Sequence, residues 1–197
     1  MPITLVAAFA IEGGDVMSNL LRGKVWCFEG VMDVDWEICP IEHMNALHKD
    51  HTKTYEQISA ELGRYCMTTV DPEFPQKVRP GDIIVGGEGF GYGHDHDHSC
   101  MSLRGAGIAA VLCEATNSNF KRNSIHHGLP VVEVKGITSS THTGDELEVD
   151  LEIGIVRNLS NGKTFTFVPY PDFIIEIIEA GGLYQQLTSQ VKSGVYS

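Results

Sequence analysis

The chain has 197 residues, of which 42% are hydrophobic and 20% are charged, and its formal net charge is −12 at pH 7. This length suits one domain with a sizeable core, and the negative charge argues against nucleic acid or an anionic membrane as the main partner. Five scattered cysteines with no CxxC pair indicate reduced thiols and no zinc or iron–sulfur framework, so we expect a cytoplasmic protein.

An N-terminal extension, residues 1–22, precedes the main domain, which is predicted to span residues 23–197. The extension opens with a short apolar run that no basic segment precedes, which argues against a signal peptide or a transmembrane helix. It ends in a predicted helical patch through residues 20–21. The first predicted strand follows at residues 23–28.

A helix between two loops is predicted next. Residues 31–38 form the first loop, and residues 43–64 have the spacing of one amphipathic helix. Residues 69–80 contain three prolines and form the second loop. A helical connection therefore separates the first strand from the second.

Three short apolar strands alternate with two helices in the centre of the chain. The strands are predicted at residues 83–87, 108–113 and 129–134, and the helices at residues 100–106 and 119–127. Uninterrupted apolar runs of this length suit strands that are buried on both faces. Strand–helix repeats at these intervals indicate right-handed parallel crossovers.

The last third of the chain is richer in β-structure. Residues 144–151 alternate with period two, and an Asn-Gly pair signals a hairpin between residues 154–156 and 164–168. An amphipathic helix is predicted at residues 171–180. The sequence thus predicts an α/β domain with a mostly parallel sheet core and a C-terminal β-rich segment.

Residues 89–98 read GFGYGHDHDH, in which three glycines are followed by five titratable side chains that alternate between histidine and aspartate. Imidazole titrates near neutral pH and neighbouring carboxylates shift that value, so the cluster suits proton transfer. The same groups suit zinc, manganese or iron, and a solvated loop without function is the third alternative. In an extended loop the histidines share one face and the aspartates the other. Three ligands on so short a stretch rarely complete a metal shell, so we expect no metal and no cofactor.

Seven blocks of sequence lie in a fixed order between residues 23 and 187. They read GKVWCF, MDVDWEI, DPEFPQKVRPGDIIVGGEGFGYG, GIAAVLCEA, NSIHHGLPVVEV, GDELEVDLEIGIVRNLSNGKTF and IIEAGGL. Together they resemble the small subunit of 3-isopropylmalate dehydratase, the swivel domain of the aconitase superfamily. The resemblance implies a β/β/α fold that closes over a larger iron–sulfur subunit. It also implies a hydro-lyase reaction, in which water moves between neighbouring carbons of a di- or tricarboxylate.

The loop departs from the family pattern, which reads G-S-S-R-E-H, with the first serine as the base and the arginine as a carboxylate clamp. Aligned on the last glycine, the chain has His94 at the serine and His96 at the arginine, with Asp95, Asp97 and His98 at the other positions. A second family arginine, in a segment of the type I-P-x-R-Y-L, is also missing. Arginine binds a carboxylate through two charge-assisted bonds and histidine through one weaker bond, so the isopropylmalate reaction is not expected.

Further candidate residues follow the first strand. The family's D-T-D survives as DVD, and Asp33 and Asp35 can meet the loop at the carboxyl end of the sheet, where ligands of open α/β sheets gather. The alternative for each aspartate is turn and cap formation. Trp36 and Tyr92 form either an apolar wall of the site or ordinary core packing. His43 lies on a predicted helix and faces either the site or solvent.

The sequence therefore predicts catalytic roles for His94, His96, Asp95, Asp33 and Asp35 and substrate contacts for Tyr92, Trp36, His98, Asp97 and His43. The favoured function is a repurposed swivel-domain enzyme that acts alone or as a homo-oligomer on a small molecule. Its reaction is of the lyase or isomerase type, including a cyclisation or pericyclic rearrangement in specialised metabolism. One alternative is the small subunit of an aconitase-type hydro-lyase with an iron–sulfur large subunit, and another is a scaffold or regulator without chemistry.

Overall fold

A computed structural model describes residues 20–47 and 52–194. Its sheet has eight strands in the order β5-β4-β3-β1-β6-β7-β8, with β2 paired to β3 off this path. The strands are β1 Leu20–Phe28, β2 Met32–Asp33, β3 Ile83–Tyr92, β4 Ala110–Thr116, β5 Val131–Glu133, β6 Glu146–Asp150, β7 Ile155–Asn158 and β8 Thr164–Thr166.

Seven α-helices of the described residues surround the sheet. They are α1 Ile41–Leu47, α2 Tyr55–Gly63, α3 Phe74–Lys77, α4 His98–Gly105, α5 Ser118–His126, α6 Asp172–Glu179 and α7 Leu183–Lys192. A π-helical turn spans Val34–Ile38 and a 3-10 turn spans Thr138–Ser140. None of the helices in the described ranges combines the length and the apolar character that a membrane span requires.

The sheet has a parallel half and an antiparallel half that meet at β1. On one side, β1 pairs with β3, β3 with β4 and β4 with β5, all in parallel. On the other side, β1, β6, β7 and β8 are paired antiparallel. This arrangement confirms the predicted α/β fold with a parallel core and a C-terminal β-rich segment.

Strand β3 is buried between two apolar layers. Ile83 and Val85 pack in one cluster with the C-terminal strands, whereas Ile84 packs in a second cluster with Phe74 and Leu103. Adjacent side chains of a strand point to opposite faces, so an uninterrupted apolar run is what a strand between two layers needs. The carboxyl end of this strand leads directly into the loop of histidines and aspartates.

The helical patch predicted at residues 20–21 is wrong, because strand β1 already begins at Leu20. Leu20 lies opposite Asp150 of β6, and Arg22 lies opposite Glu148. Pairing with a distant strand has overridden the local preference here. The rest of the predicted extension, residues 1–19, lies outside the described residues.

The single helix predicted over residues 43–64 is also wrong, because two helices, α1 and α2, occupy this part of the chain. Thr54 begins α2 with a capping box, in which its hydroxyl accepts from the backbone N–H of Gln57 while the Gln57 side chain accepts from the backbone N–H of Thr54. Such bonds favour a helix start over a continuing helix. The two predicted loops contain short elements as well, since β2 and the π-helical turn precede α1 and α3 precedes β3.

Replacing Thr54 with Ala should lower the free energy of unfolding by about 1 kcal/mol, because the backbone N–H of Gln57 loses its acceptor. Urea denaturation measures this effect, and Thr54→Ser, which keeps a hydroxyl at the same place, is the matched control. Equal stabilities of the Ala and Ser variants would show that the cap does not stabilise the fold.

Candidate functional site

The candidate site forms where strands β2 and β3 end side by side. The two strands run parallel, and Asp33 lies opposite Tyr92 in their register. The π-helical turn after β2 then carries Asp35 toward the loop after β3. Gly93 permits this approach, because its φ is +111° and an added Cβ would lie 2.5 Å from Asp33 Oδ2.

Asp35 is the centre of the site because two histidines share its carboxylate. His94 Nδ1 lies 2.7 Å from Oδ2, and His96 Nδ1 lies 2.7 Å from Oδ1. A carboxylate oxygen only accepts, so each imidazole donates its Nδ1–H. Asp35 is nearly buried, whereas 79% of the His94 side chain is exposed. This arrangement fixes both ring orientations, and neither Nε2 has a hydrogen bond to a residue that the structure describes.

The pKa of Asp35 lies below its ordinary value. Burial alone would raise the pKa, but the hydrogen bonds that the carboxylate accepts from His96 and His94 lower it by more. Asp35 is therefore ionised at neutral pH. An ionised carboxylate in this position accepts the Nδ1–H of both imidazoles.

His98 is the innermost histidine of the loop and is held by the backbone. Its ring is buried, and its Nε2–H donates to the carbonyl oxygen of Cys39 at 2.8 Å. Burial lowers the pKa of His98, so this ring is neutral at neutral pH. Its Nδ1 has no hydrogen-bond partner among the described residues.

The two aspartates of the loop face the opposite way, toward helix α5. Asp95 accepts from the Asn123 side-chain amide at 2.7 Å and from Arg122 at 3.3 Å. Asp97 Oδ2 lies 3.5 Å from Nε2 of His127, and this interaction lowers the pKa of Asp97. His94 and His96 thus turn toward Asp35 and Asp95 turns toward α5, as expected for an extended loop. The alternation does not continue through Asp97, whose backbone is helical, or through His98, which begins α4.

A cavity of about 530 Å³ lies beside the loop, between α1, α2 and α4. Its polar wall is formed by loop residues and one side chain of α5, namely Asp95, His96, Asp97, His98 and Asn123, and its apolar wall by Met44, Ile58, Leu62 and Met101. This volume suits a small organic molecule. The sequence singled out Asp95, His96, Asp97 and His98 of this wall but not Asn123 or the apolar residues, although Ile58 and Leu62 have the spacing of one helix face.

Six of the predicted site residues lie outside this cavity wall, and two of them are the paired Asp35 and His94. Asp33 caps the π-helical turn by accepting from the backbone N–H of Asp35 at 2.8 Å, as the alternative interpretation expected. Trp36 and Tyr92 are 63% and 48% exposed, so neither is a core residue of the described chain. His43 stacks on Tyr65 with a ring separation of 3.5 Å. Their predicted roles in chemistry or substrate binding stay predictions.

Asp35, His94 and His96 are also the residues of this site that could hold a metal ion. Their ligand atoms lie within 4.8 Å of one another, and two imidazoles with a carboxylate suit zinc or iron. A metal between them would replace both hydrogen bonds to Asp35, which already satisfy the two Nδ1–H groups. The present geometry is therefore that of two hydrogen bonds to one carboxylate. The expected absence of a metal stays a prediction.

Replacing Asp35 with Asn should change the pH dependence of the free energy of unfolding. A carboxylate whose pKa is lowered in the folded state contributes stability above its unfolded pKa of about 3.9, and that contribution is lost as the pH falls through the folded value. His94, His96 and His98 face this carboxylate. Wild type should therefore lose more unfolding free energy than Asp35→Asn between about pH 5 and pH 2. Urea titrations at several pH values measure it, and parallel curves would contradict it.

Comparison with known proteins supports the architecture. The aconitase C-terminal domain family matches residues 29–136. A protein of Methanocaldococcus jannaschii described as an isopropylmalate/citramalate isomerase small subunit is 42% identical over 175 residues, which are 89% of this chain and 98% of that protein. The 3-isopropylmalate dehydratase small subunit of Nautilia profundicola is 39% identical over 165 residues, which are 84% of this chain and 92% of that protein.

A solved structure agrees with these relatives. A crystal structure described as 3-isopropylmalate dehydratase from the same Methanocaldococcus species superposes with a TM-score of 0.75 at 28% identity, covering 89% of this chain and 98% of that one. The sheet and the loop at its carboxyl edge thus define a swivel domain of the aconitase type. Within that class, the chain belongs to the 3-isopropylmalate dehydratase small-subunit family, as the sequence blocks indicated.

Proposed function

We propose that this chain is a lyase-class enzyme that transfers protons to and from a small molecule bound in the cavity, and that it works without an iron–sulfur subunit. One observation carries the proposal: His96 lines the cavity and is also held by the ionised carboxylate of Asp35. A side chain that reaches the ligand space and has an orienting partner is the arrangement of a general acid–base group.

In this proposal His96 transfers the proton and Asp35 orients the His96 ring. Asp35 accepts the Nδ1–H of His96 and so directs the other ring nitrogen, Nε2, toward the substrate. Nε2 then removes a proton, and Asp35 stabilises the imidazolium that forms. The proton returns to a neighbouring carbon, which gives isomerisation or cyclisation, or to a leaving hydroxyl, which gives elimination. His94, bound to the other oxygen of Asp35, provides a second proton carrier at the solvent side.

The substrate proposed for this site is less negative than isopropylmalate. Among the residues that the structure describes, the cavity lining contains neither lysine nor arginine, and the nearby Arg122 is paired with Asp95. The two carboxylates in the wall would repel a dicarboxylate rather than hold it. These features support a substrate of a different class and a role in specialised metabolism, in which the chain acts alone or as a homo-oligomer.

Metabolite accumulation tests the stand-alone activity. Cells of the source organism that lack this chain should accumulate its substrate, and the purified chain alone should consume the accumulated compound. The His96→Gln variant, which keeps the loop but lacks a titrating ring, should leave it unchanged. Consumption that requires an added iron–sulfur protein from the same cells would overturn the stand-alone proposal.

A second candidate function is that of a small subunit in an aconitase-type hydro-lyase. It is supported by the coverage of 98% of the Methanocaldococcus small subunit and by the exposed Trp36 and Tyr92, which flank the loop and which a partner could cover. An iron–sulfur protein that co-purifies with the tagged chain would favour it. The third interpretation, a scaffold without chemistry, is disfavoured because the cavity beside the loop is open rather than filled by side chains.

A further inference from the structure

Two imidazoles and one carboxylate converge beside the loop. One ligand atom from each of Asp35, His94 and His96 lies within 4.8 Å of the other two. The ring nitrogens that face the carboxylate are the two Nδ1 atoms, each 2.7 Å from an oxygen of Asp35. Three side chains that meet in so small a volume can share one metal ion.

These three side chains can be reached from solvent and can adjust to an ion. The exposed fraction of the side chain is 79% for His94, 39% for His96 and 14% for Asp35. A tetrahedral zinc ion holds nitrogen and oxygen ligands at about 2.0–2.2 Å, which places neighbouring ligand atoms about 3.4 Å apart. Binding would therefore widen each N···O separation from 2.7 Å to this value. Exposed rings on a loop can make a movement of this size.

The chemistry of the three ligands selects the class of ion. Imidazole nitrogen suits zinc, copper, iron and nickel, whereas magnesium and calcium prefer oxygen ligands. The carboxylate of Asp35 adds negative charge beside the two neutral rings. Three protein ligands leave the fourth position of a tetrahedral ion to water or another small molecule. Zn²⁺, which takes nitrogen and oxygen ligands in this number, fits the set.

Metal binding would change which nitrogen of His96 carries the ring proton. In the present arrangement Asp35 accepts the Nδ1–H of His96, so Nε2 has the lone pair that takes a proton from the substrate. A metal ion binds the lone pair of Nδ1, and the one proton of the neutral ring then resides on Nε2. The ring neither gains nor loses a proton, but its Nε2 becomes a donor. An Nε2–H cannot act as the base.

We propose that Asp35, His94 and His96 form a binding site for Zn²⁺ and that the ion inhibits the enzyme. The ion takes the Nδ1 lone pairs of both rings and an oxygen of Asp35. It thereby switches His96 to the tautomer that cannot remove a proton from the substrate. This inference rests on the proposed function, because it names a regulation of the same site. Zinc acts here as an inhibitor and not as a cofactor of the reaction.

Titration of the full, tag-free chain with Co²⁺ and Zn²⁺ tests the binding. Co²⁺ should give the visible absorption of a tetrahedral ion, and Zn²⁺ but not Mg²⁺ should abolish it by displacing Co²⁺. His94→Gln should weaken Zn²⁺ binding by at least about tenfold, because loss of a ligand's hydrogen-bond partner alone commonly costs that much. The exposed position of His94 makes this variant unlikely to disturb folding. Asp35→Asn should weaken binding in the same way.

NMR of the chain with ¹⁵N-labelled histidines measures the tautomer of His96. The ring proton should reside on Nδ1 without zinc and on Nε2 after one equivalent of Zn²⁺. Turnover of the native substrate should fall over the same range of zinc concentration and recover when EDTA removes the ion.

His142→Gln is the matched control, because it removes an exposed imidazole on the loop before β6 and leaves the three ligands in place. It should bind zinc and be inhibited as wild type is. No binding of either ion, equal zinc affinity in wild type and His94→Gln, or a His96 proton that stays on Nδ1 would overturn the inference. In each of those cases, a loss of turnover in His96→Gln would still support the proposed function. Normal turnover in His96→Gln would contradict the proposed function, whatever the zinc titration shows.

Discussion

Replacing Asp35 with Asn should lower turnover by about 10²- to 10⁴-fold, the range that a general acid–base group contributes. The carboxylate accepts from His94 and His96 at the same time. An amide has one accepting oxygen, and its NH₂ would face the Nδ1–H of one imidazole, donor against donor. That ring must rotate or change its tautomer, and the negative charge that stabilises an imidazolium is lost. Turnover of the native substrate by the purified chain measures the effect.

Variants of the two histidines locate the reacting group. His96 lines the cavity and His94 does not, so His96→Gln should lose more activity than His94→Gln, while both variants stay folded. Glu73→Gln, far from the loop, serves as the control for a lost carboxylate. Normal turnover in both histidine variants would contradict the acid–base proposal, because His94 and His96 are the two side chains whose Nδ1–H groups bind Asp35.

Much of the site could be predicted from the sequence because it depends on local geometry. Alternating residues in an extended loop must point to opposite faces, and the structure indeed turns His94 and His96 toward Asp35 and Asp95 toward helix α5. Segments that follow neighbouring parallel strands also meet at one edge of the sheet, although β2 itself was not predicted because residues 31–38 were expected to form a loop. These two facts bring the histidine–aspartate loop close to Asp35.

The cavity and the boundaries of several elements could not be predicted in the same way. Met44 and Met101 form the apolar wall only because α1, α2 and α4 meet there, and such tertiary contacts leave no local signal. The start of β1 at Leu20 depends on pairing with β6, which is more than a hundred residues away. The break between α1 and α2 was readable, however, because Thr54 and Gln57 carry a capping-box signature.

Replacing Gly105 with Ala should lower the free energy of unfolding by about 3 kcal/mol, at the upper end of what overpacking costs. An added Cβ would lie 1.8 Å from the backbone oxygen of Ser59, and a Cβ on Gly63 would lie 2.4 Å from the backbone of Gly105. Helices α2 and α4 therefore touch backbone to backbone. Side-chain hydroxyls tie them together, since Ser59 donates to the carbonyl of Met101 at 2.7 Å.

The same substitution should weaken ligand binding, because α2 and α4 together supply most of the apolar wall of the cavity. Leu62 and Met101 would move apart when the helices separate. Gly162→Ala provides the matched control: its φ is +77° and an added Cβ would meet nothing within 4 Å, so it should cost only about 1 kcal/mol for backbone strain. Urea denaturation compares the two variants. If Gly105→Ala costs no more than Gly162→Ala, the close contact of α2 and α4 does not hold the cavity in shape.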